Sequence, residues 1–307
     1  MDQRSGRRNV VSRNCYLCGN TEESLFEVTP SKLRYGEEKD IVRCRSCGLV
    51  FFHPPMTPEE EKHFYEEEYG EIFSKEKDAT PEDLFQQRLP EAQDYYSLVK
   101  DHLLPTDDCL ELGCASGYFL HFIREKVGSV TGYEPFLPFQ KMLADLNIPM
   151  IENPDTVENE RFDRIFMFFL LEHLTQPIPY LENVRRILRP GGSLFVIVPN
   201  LEDALLSLYK IEGFRKFYFT LAHPYYYSKE TLGRLLTKAG FPDHEILPHQ
   251  RYDLSNHIHW MLTGRPGGQG RFNDLFSKAL NQEYARVLKE RFLCDTLFAV
   301  AQKGATA

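Results

Sequence analysis

From about residue 105 onward, short apolar runs alternate with amphipathic stretches. Cys109-Leu110-Glu111-Leu112 reads as a buried strand, and the small-residue turn Gly113–Gly117 leads into a helix that opens at Tyr118. Val130–Glu134 forms a second strand with an acid at its end. Phe162–Leu170 is almost continuously apolar, as expected of a central parallel strand buried on both faces. Leu188-Arg189-Pro190-Gly191-Gly192 ends a helix and launches the apolar strand that follows. A helix over Lys229–Ala239 and a last strand over Cys294–Gln302 complete an alternation that predicts an α/β, doubly wound sheet. Upstream, Thr57-Pro58-Glu59-Glu60 has the N-cap, N1 proline and acidic first turn of a helix start, and a second helix is expected over Pro81–Leu103.

The turn after the first core strand carries the candidate cofactor chemistry. Glycine and alanine at 113, 115 and 117 let backbone approach a ligand closely. An acid ending the second strand, Glu134, is placed to accept from ribose hydroxyls, so an adenosine-containing cofactor is expected. A dinucleotide fingerprint needs G-x-G-x-x-G to seat a pyrophosphate, and here Tyr118 and Phe119 follow Gly117 with no third glycine. Glu111 at the strand end would sit badly beside a phosphate but could accept from an amino group. That combination suits S-adenosylmethionine.

The run Glu111-x-Gly113-x-Ala115-x-Gly117, followed by Phe162-Asp163-Arg164-Ile165, Leu171-Glu172-His173-Leu174, Leu188–Gly192 and His223–Ser228, resembles the ordered motifs of class I SAM-dependent methyltransferases. Ala115 stands where that family most often has glycine, and the loop is expected to tolerate it. The resemblance covers about residues 100–250 plus the last strand, and it implies a Rossmann-like, seven-stranded sheet. It also implies cofactor contacts at Glu111, Gly113, Ala115, Gly117, Tyr118, Glu134, Pro135, Phe169 and Leu170.

A second signal lies near the N-terminus. Cys15-x-x-Cys18-Gly19 and Cys44-x-x-Cys47-Gly48 are paired knuckles, and four thiolates close a tetrahedral zinc shell with no open position, so a structural Zn2+ is expected rather than two disulfides. Cys109, Cys114 and Cys294 read as small buried hydrophobes. The expected organisation is a zinc-ribbon module over 1–55, a helical linker over 56–104 and the methyltransferase core over 105–307. In this type of enzyme such a linker often covers the cofactor. A substrate-side insertion is expected at about 251–290. Its Tyr252–Arg271 segment holds the only tryptophan, Trp260, two histidines at i and i+2, and a glycine-rich turn; a specificity element, a structural lid and a dimer contact all fit it.

Methyl transfer is an in-line displacement in which alignment supplies much of the rate, with a general base helping a hydroxyl or carbon-acid acceptor. His173, His223, His257 and His259 are the candidate bases, each with a structural reading beside the catalytic one. Tyr118, Phe136, Phe169 and Tyr225–Tyr227 could stack on adenine or shape an acceptor pocket.

Net charge and length narrow the partners. The chain has 307 residues, a net charge of −9 and no apolar run of membrane-spanning length, so a cytoplasmic protein without a membrane contact is expected. The acidic balance argues against nucleic acid, and the arginines at 4, 7, 8 and 13 read as a solvated terminal arm. The acidic Glu59–Glu71 stretch, with Phe64, Tyr65 and Tyr69, reads as a solvated helical face with aromatics inward or as a partner surface. A ribbon ahead of such a core resembles sugar C-methyltransferases, though their large C-terminal domain has no counterpart here. The leading expectation is methylation, at oxygen or carbon, of a small acceptor: a nucleotide-linked sugar, or a glycan or natural-product precursor. Methylation of an rRNA or tRNA base is the alternative enzyme reading, and an inactive SAM-binding adaptor is the reading from another class. The sequence does not set the oligomeric state.

Overall fold

A computed structural model of the chain describes residues 12–36, 38–64 and 80–304. Arg4, Arg7, Arg8, Tyr65, Tyr69 and the acids between those tyrosines lie outside the described residues.

The core is a six-stranded sheet in the order β5-β4-β6-β7-β10-β9. The strands are β4 (Asp108–Leu112), β5 (Ser129–Tyr133), β6 (Phe162–Phe168), β7 (Leu188–Pro199), β9 (His244–His249) and β10 (Thr296–Gln302). β4, β5, β6 and β7 run parallel, while β10 is antiparallel to both β7 and β9. The order reverses at β4, which places a crevice at the carboxyl ends of β4 and β6, where open α/β sheets take ligands. The expected seventh strand is reduced to one bridge, Gly132 to Met150, beside β5. Pro149 and the half-exposed Met150 end the helix-to-sheet return after Asn147, which has positive φ, and leave too short an apolar run to extend the pairing.

Alternation along the central strands feeds two apolar layers. Leu110, Leu112, Ile165, Met167, Val196 and Leu297 pack on one face of the sheet, with the helices Pro177–Ile187 and Lys229–Lys238 contributing Leu181, Val184, Leu232 and Leu236. Cys109, Phe166, Phe168, Phe195 and Phe298 pack on the other, against Phe119 and the helix Pro81–Val99. That helix ends at Val99 and passes through a 3-10 turn, Lys100–His102, before β4. It opens on a Thr80 capping box, and the Thr57 cap read from the sequence opens the helix Pro58–His63 in the same way.

The smaller sheet has the order β1-β2-β3-β8, from β1 (Phe26–Lys32), β2 (Asp40–Cys44), β3 (Val50–His53) and β8 (Tyr225–Tyr226). Its first three strands form a meander around the cysteine knuckles. The fourth comes from the middle of the core sequence, pairing Val50 with Tyr226 and Phe51 with Tyr225. This sheet therefore crosses the boundary expected near residue 55. Cys15, Leu17, Val42 and Leu49 share one continuous apolar cluster with the core strands. Three polar contacts tie the knuckles to core helices: Ile178 N–H donates to Tyr16 Oη at 3.1 Å, Lys238 Nζ donates to the Leu17 carbonyl at 2.9 Å, and Arg234 to the Cys47 carbonyl at 3.5 Å. Among the described residues no helix is long and apolar enough to cross a membrane.

Candidate cofactor and acceptor site

The turn after β4 is built by backbone hydrogen bonds and three left-handed residues. Gly113 and Cys114 N–H groups donate to the Tyr133 carbonyl at 2.8 and 3.1 Å. Gly113, Ala115 and Gly117 have φ of 70°, 47° and 74°. A Cβ on Gly117 would lie 2.5 Å from Leu143, and one on Gly113 would lie 3.1 Å from Leu170, so the small residues are required by space as well as by conformation. Ala115 holds a left-handed conformation that costs an L-residue about 1 kcal/mol, and its N–H is fixed by a 2.9 Å bond to Glu134 Oε2. The other Glu134 oxygen accepts from Phe136 N–H at 2.9 Å. Glu134 therefore shapes the loop itself, and its remaining lone pairs are what a ribose could use.

Glu111 is the exceptional group. It is 2% exposed, and its Oε2 has no hydrogen-bond partner. Burial, and secondarily the neighbouring Glu134, push its carboxyl well above the usual range. A buried, unpaired acceptor beside a glycine turn is what a bound ammonium would satisfy, so the residues present fit the amino-acid half of S-adenosylmethionine. Around it, Tyr118 is buried, Arg88 lies over the Tyr118 ring at 5.9 Å, and Tyr95 packs against Tyr118, Phe168 and Phe169. Arg88 and Tyr95 come from the Pro81–Val99 helix, which packs across this end of the sheet. Leu170 is partly buried against Gly113, and Pro135 sits between Glu134 and the exposed Phe136, whose ring contacts Phe139.

Beyond the end of β6 the chain turns at Phe169, which has a φ of 54° and donates its N–H to the Ile197 carbonyl at 2.8 Å. Arg251 stacks on the Phe169 ring with its guanidinium 4.4 Å from the centroid, and Asp295 holds that guanidinium at 3.2 Å. Past this pair opens a cavity of about 550 Å³ whose wall includes Arg34, His173, Asp203, His223, Arg251 and Trp260. His173 follows β6, Asp203 follows β7 and Asp295 precedes β10, so the cavity lies over the carboxyl ends of the central parallel strands.

The electrostatics of this cavity are set by burial. His173 is pushed down to about 4 by desolvation, and His223 well below the usual imidazole value by burial and then by His173. Burial also pushes Glu172 and Asp203 up to about 8. The two imidazoles meet edge to face, 4.7 Å between centroids, and both are neutral at physiological pH. His257 and His259 are placed differently. His257 is buried with Nδ1 2.7 Å from Tyr284 Oη, and His259 packs against Gly268; neither lines the cavity. Tyr227 is buried in the apolar layer, Tyr225 packs at a tilt on Tyr16, and Tyr226 donates to the Thr220 carbonyl at 2.9 Å, so the three tyrosines serve packing. Arg251, Asp203, Asp295 and Arg88 are absent from the sequence-derived site. The usable signal was positional, since the first three flank strand ends at the ligand side of the sheet.

The four knuckle cysteines converge, with Sγ atoms all within 4.8 Å of one another. Cys15 to Cys47 is 3.5 Å and Cys18 to Cys44 is 3.6 Å. These separations exclude disulfides, which need about 2.05 Å, and approach the ~3.8 Å edge of a tetrahedron of 2.3 Å zinc–sulfur bonds. Gly19 and Gly48, at φ of 73° and 87°, turn their N–H groups back onto the Cys15 and Cys44 carbonyls at 2.7 Å. Without a cation, the Cys47 thiol and burial push Cys15 above its ordinary value, and a bound metal would reverse that. The set fits a closed four-thiolate metal site.

Comparison with known proteins follows the same outline. A family described as a methyltransferase domain matches residues 76–246, more than half of the chain. A SAM-dependent methyltransferase from Archaeoglobus fulgidus superposes with a TM-score of 0.50 at 17% identity, covering 77% of this chain and all of that one, a likeness of fold alone. The tRNA U34 carboxymethyltransferase of Nautilia profundicola is 25% identical over 180 residues, 52% of this chain and 56% of that protein. That of Hydrogenovibrio crunogenus is 27% identical over 114 residues, 32% and 34% respectively. The chain thus spans about half or less of the curated relatives it matches. None of these proteins is a sugar C-methyltransferase. Relatives named for tRNA overturn the expectation against nucleic acid as a partner and favour the alternative enzyme reading. A whole-chain sum of −9 does not say where charge sits: Arg34 and Arg251 line the cavity, Arg251 paired there with Asp295 and with Asp203 on the same wall. With strand order, glycine turn and matched residues in agreement, the chain belongs to the methyltransferase-domain family.

Proposed function

We propose that this protein binds S-adenosylmethionine over the Gly113–Gly117 turn and transfers its methyl group to a base of a tRNA, presented unpaired in the adjoining cavity. The observation that carries the reading is the junction at Phe169–His173. At one end of that segment Leu170 packs against the glycine turn at Gly113, and at the other His173 walls the cavity. Donor and acceptor would therefore meet across a single buried turn. Support for tRNA comes from the named activity of the relatives and from the lining of the cavity. Trp260, Tyr35, Phe217 and Tyr252 offer flat faces, and Arg34 lies 4.5 Å over Phe217 and 5.1 Å over Tyr35. Enzymes that modify a base take it out of its stack and hold it between aromatic and apolar side chains, with arginines on the backbone.

In this reading Glu111 accepts from the amino group of the cofactor, Glu134 from its ribose, and Gly113, Ala115 and Gly117 supply close backbone. Tyr118, Pro135, Phe169 and Leu170 enclose it. His173 and His223, held neutral, are the groups able to take a proton from the acceptor, while His257 and His259 are structural. The four cysteines hold a structural zinc. The units over 1–55, 56–104 and 105–307 act as ribbon, cofactor cover and catalytic core, with the 251–290 segment lending Arg251 and Trp260 to the acceptor side.

Incubation with methyl-labelled S-adenosylmethionine and deproteinised total tRNA tests this directly. Label should enter a ribonuclease-sensitive fraction, and less so as salt rises, because phosphate contacts weaken with released counterions. Tight cofactor binding with no label in any tRNA would remove the tRNA reading, and no cofactor binding at all would remove the whole proposal.

A further inference from the structure

Beside the cavity, whose wall includes His173 and His223, these two side chains and that of Glu172 come together, each offering one donor atom within 4.8 Å of the other two. We infer that these three residues form a second metal site, for a first-row divalent transition cation, distinct from the four-cysteine shell. Two imidazoles and one carboxylate make a borderline donor set that suits Mn, Fe, Co or Zn far better than Ca or Mg. Three protein donors, two of them on the cavity wall, also leave coordination positions open, the arrangement of catalytic rather than structural metal sites.

Several independent features agree with a cation at this point. Glu172 is 2% exposed, and its Oε2 has no hydrogen-bond partner, so the chain buries an acceptor that nothing in the protein satisfies. The ring of His173 is braced by the backbone of Ala222, the kind of outer contact that fixes the orientation of a ligating imidazole. His223 is set by its own N–H, which donates to the Thr220 carbonyl at 3.1 Å, and its ring meets that of His173 edge to face. The rival source of positive charge is Arg251, but its guanidinium is bound by Asp295 and stacked on Phe169. The Glu172–His173 pair following β6 and His223 preceding β8 are brought together only by the fold.

With a cation bound, His173 and His223 would serve as ligands in place of proton acceptors, and the cation would polarise an oxygen placed on its open positions and lower the pKa of a hydroxyl held there. The site stands on the three side chains whatever the acceptor is, so its test needs no acceptor. Protein with zinc already in the cysteine shell is titrated with Co(II) alone and followed by visible absorption. The expected result is one equivalent with weak d–d bands and no intense sulfur-to-metal band, together with a rise in melting temperature. Glu172→Gln and His223→Ala should each weaken that binding by at least ~10-fold without changing zinc content or the affinity for S-adenosylhomocysteine. Glu172→Gln keeps the shape of the buried side chain, so it reports on ligation even if the histidine variant folds poorly. Absence of Co(II) beyond the cysteine shell, or equal binding by wild type and Glu172→Gln, would overturn the site.

Discussion

Replacing Glu111 by glutamine should move stability and cofactor affinity in opposite directions. The wild-type carboxylate is buried with one oxygen unpartnered and lies close to Glu134. Removing an uncompensated buried charge typically gains on the order of 1–3 kcal/mol in the unliganded protein, a rise of roughly 2–6 °C in melting temperature for a core of this size. The same change weakens a charged hydrogen bond to the amino group of the cofactor, about 1.5–3 kcal/mol, or roughly 10- to 100-fold in Kd. The pH dependence has a definite sign. Because the folded-state pKa is raised, the native protein keeps its proton to higher pH than the unfolded chain does. Stability is therefore full below the ordinary glutamate value of about 4.3 and is lost as pH rises above it. Glutamine removes that loss, so the stability gap between variant and wild type should widen from pH 5 to pH 8. Calorimetric titration with S-adenosylhomocysteine and thermal melts at both pH values measure every part of this. Unchanged affinity, or a variant less stable than wild type at pH 8, would refute the assignment of Glu111 to the ammonium.

Other changes test neighbouring parts. Gly117→Ala puts a Cβ 2.5 Å from Leu143 at a left-handed φ of 74°, so cofactor binding should fall at least tenfold and stability by about 1–3 kcal/mol, both readable in one thermal-shift series. Asp203→Asn should stabilise the protein more at pH 8 than at pH 5. The acid is raised to about 8 by burial and then by Asp295, so its destabilising ionisation develops between the unfolded value and pH 8; an asparagine can still accept from the Leu205 N–H that the aspartate holds at 2.7 Å. Denaturant midpoints at the two pH values check it. Cys44→Ser should lower zinc content measured by atomic absorption and lower the melting temperature, while leaving affinity for S-adenosylhomocysteine within about threefold, since none of the knuckles touches the Gly113–Gly117 turn.

How much of this was written in the sequence divides by range. The glycine turn and the knuckles are local: Cys15 and Cys18, or Gly113 and Gly117, are close in the chain, and their spacing alone dictates the turn they make. Burial of Phe162–Phe168 on both faces follows from its apolar run in the same way. The acceptor wall is different. Arg251, Asp203, Asp295 and His223 come from four connections, and no local pattern announces that they share one cavity. His257 and His259 share its helix with Trp260, yet the periodicity that places Trp260 toward the cavity sends both histidines into packing. The missing seventh strand was expected from resemblance, and the Gly132–Met150 bridge shows how little backbone the edge of the sheet keeps there. Charge misled for a related reason, since a sum over a chain discards where its arginines point.

The two-residue strand Tyr225–Tyr226 has a consequence for how this protein comes apart. It immediately follows His223 and Pro224, and it closes the sheet that surrounds the cysteines. Ribbon and core therefore share a sheet edge, so a metal lost from the knuckles would fray the strand pair that positions the His223 loop. On the proposed reading, loss of zinc would loosen the choice of acceptor before it touched the grip on the methyl donor.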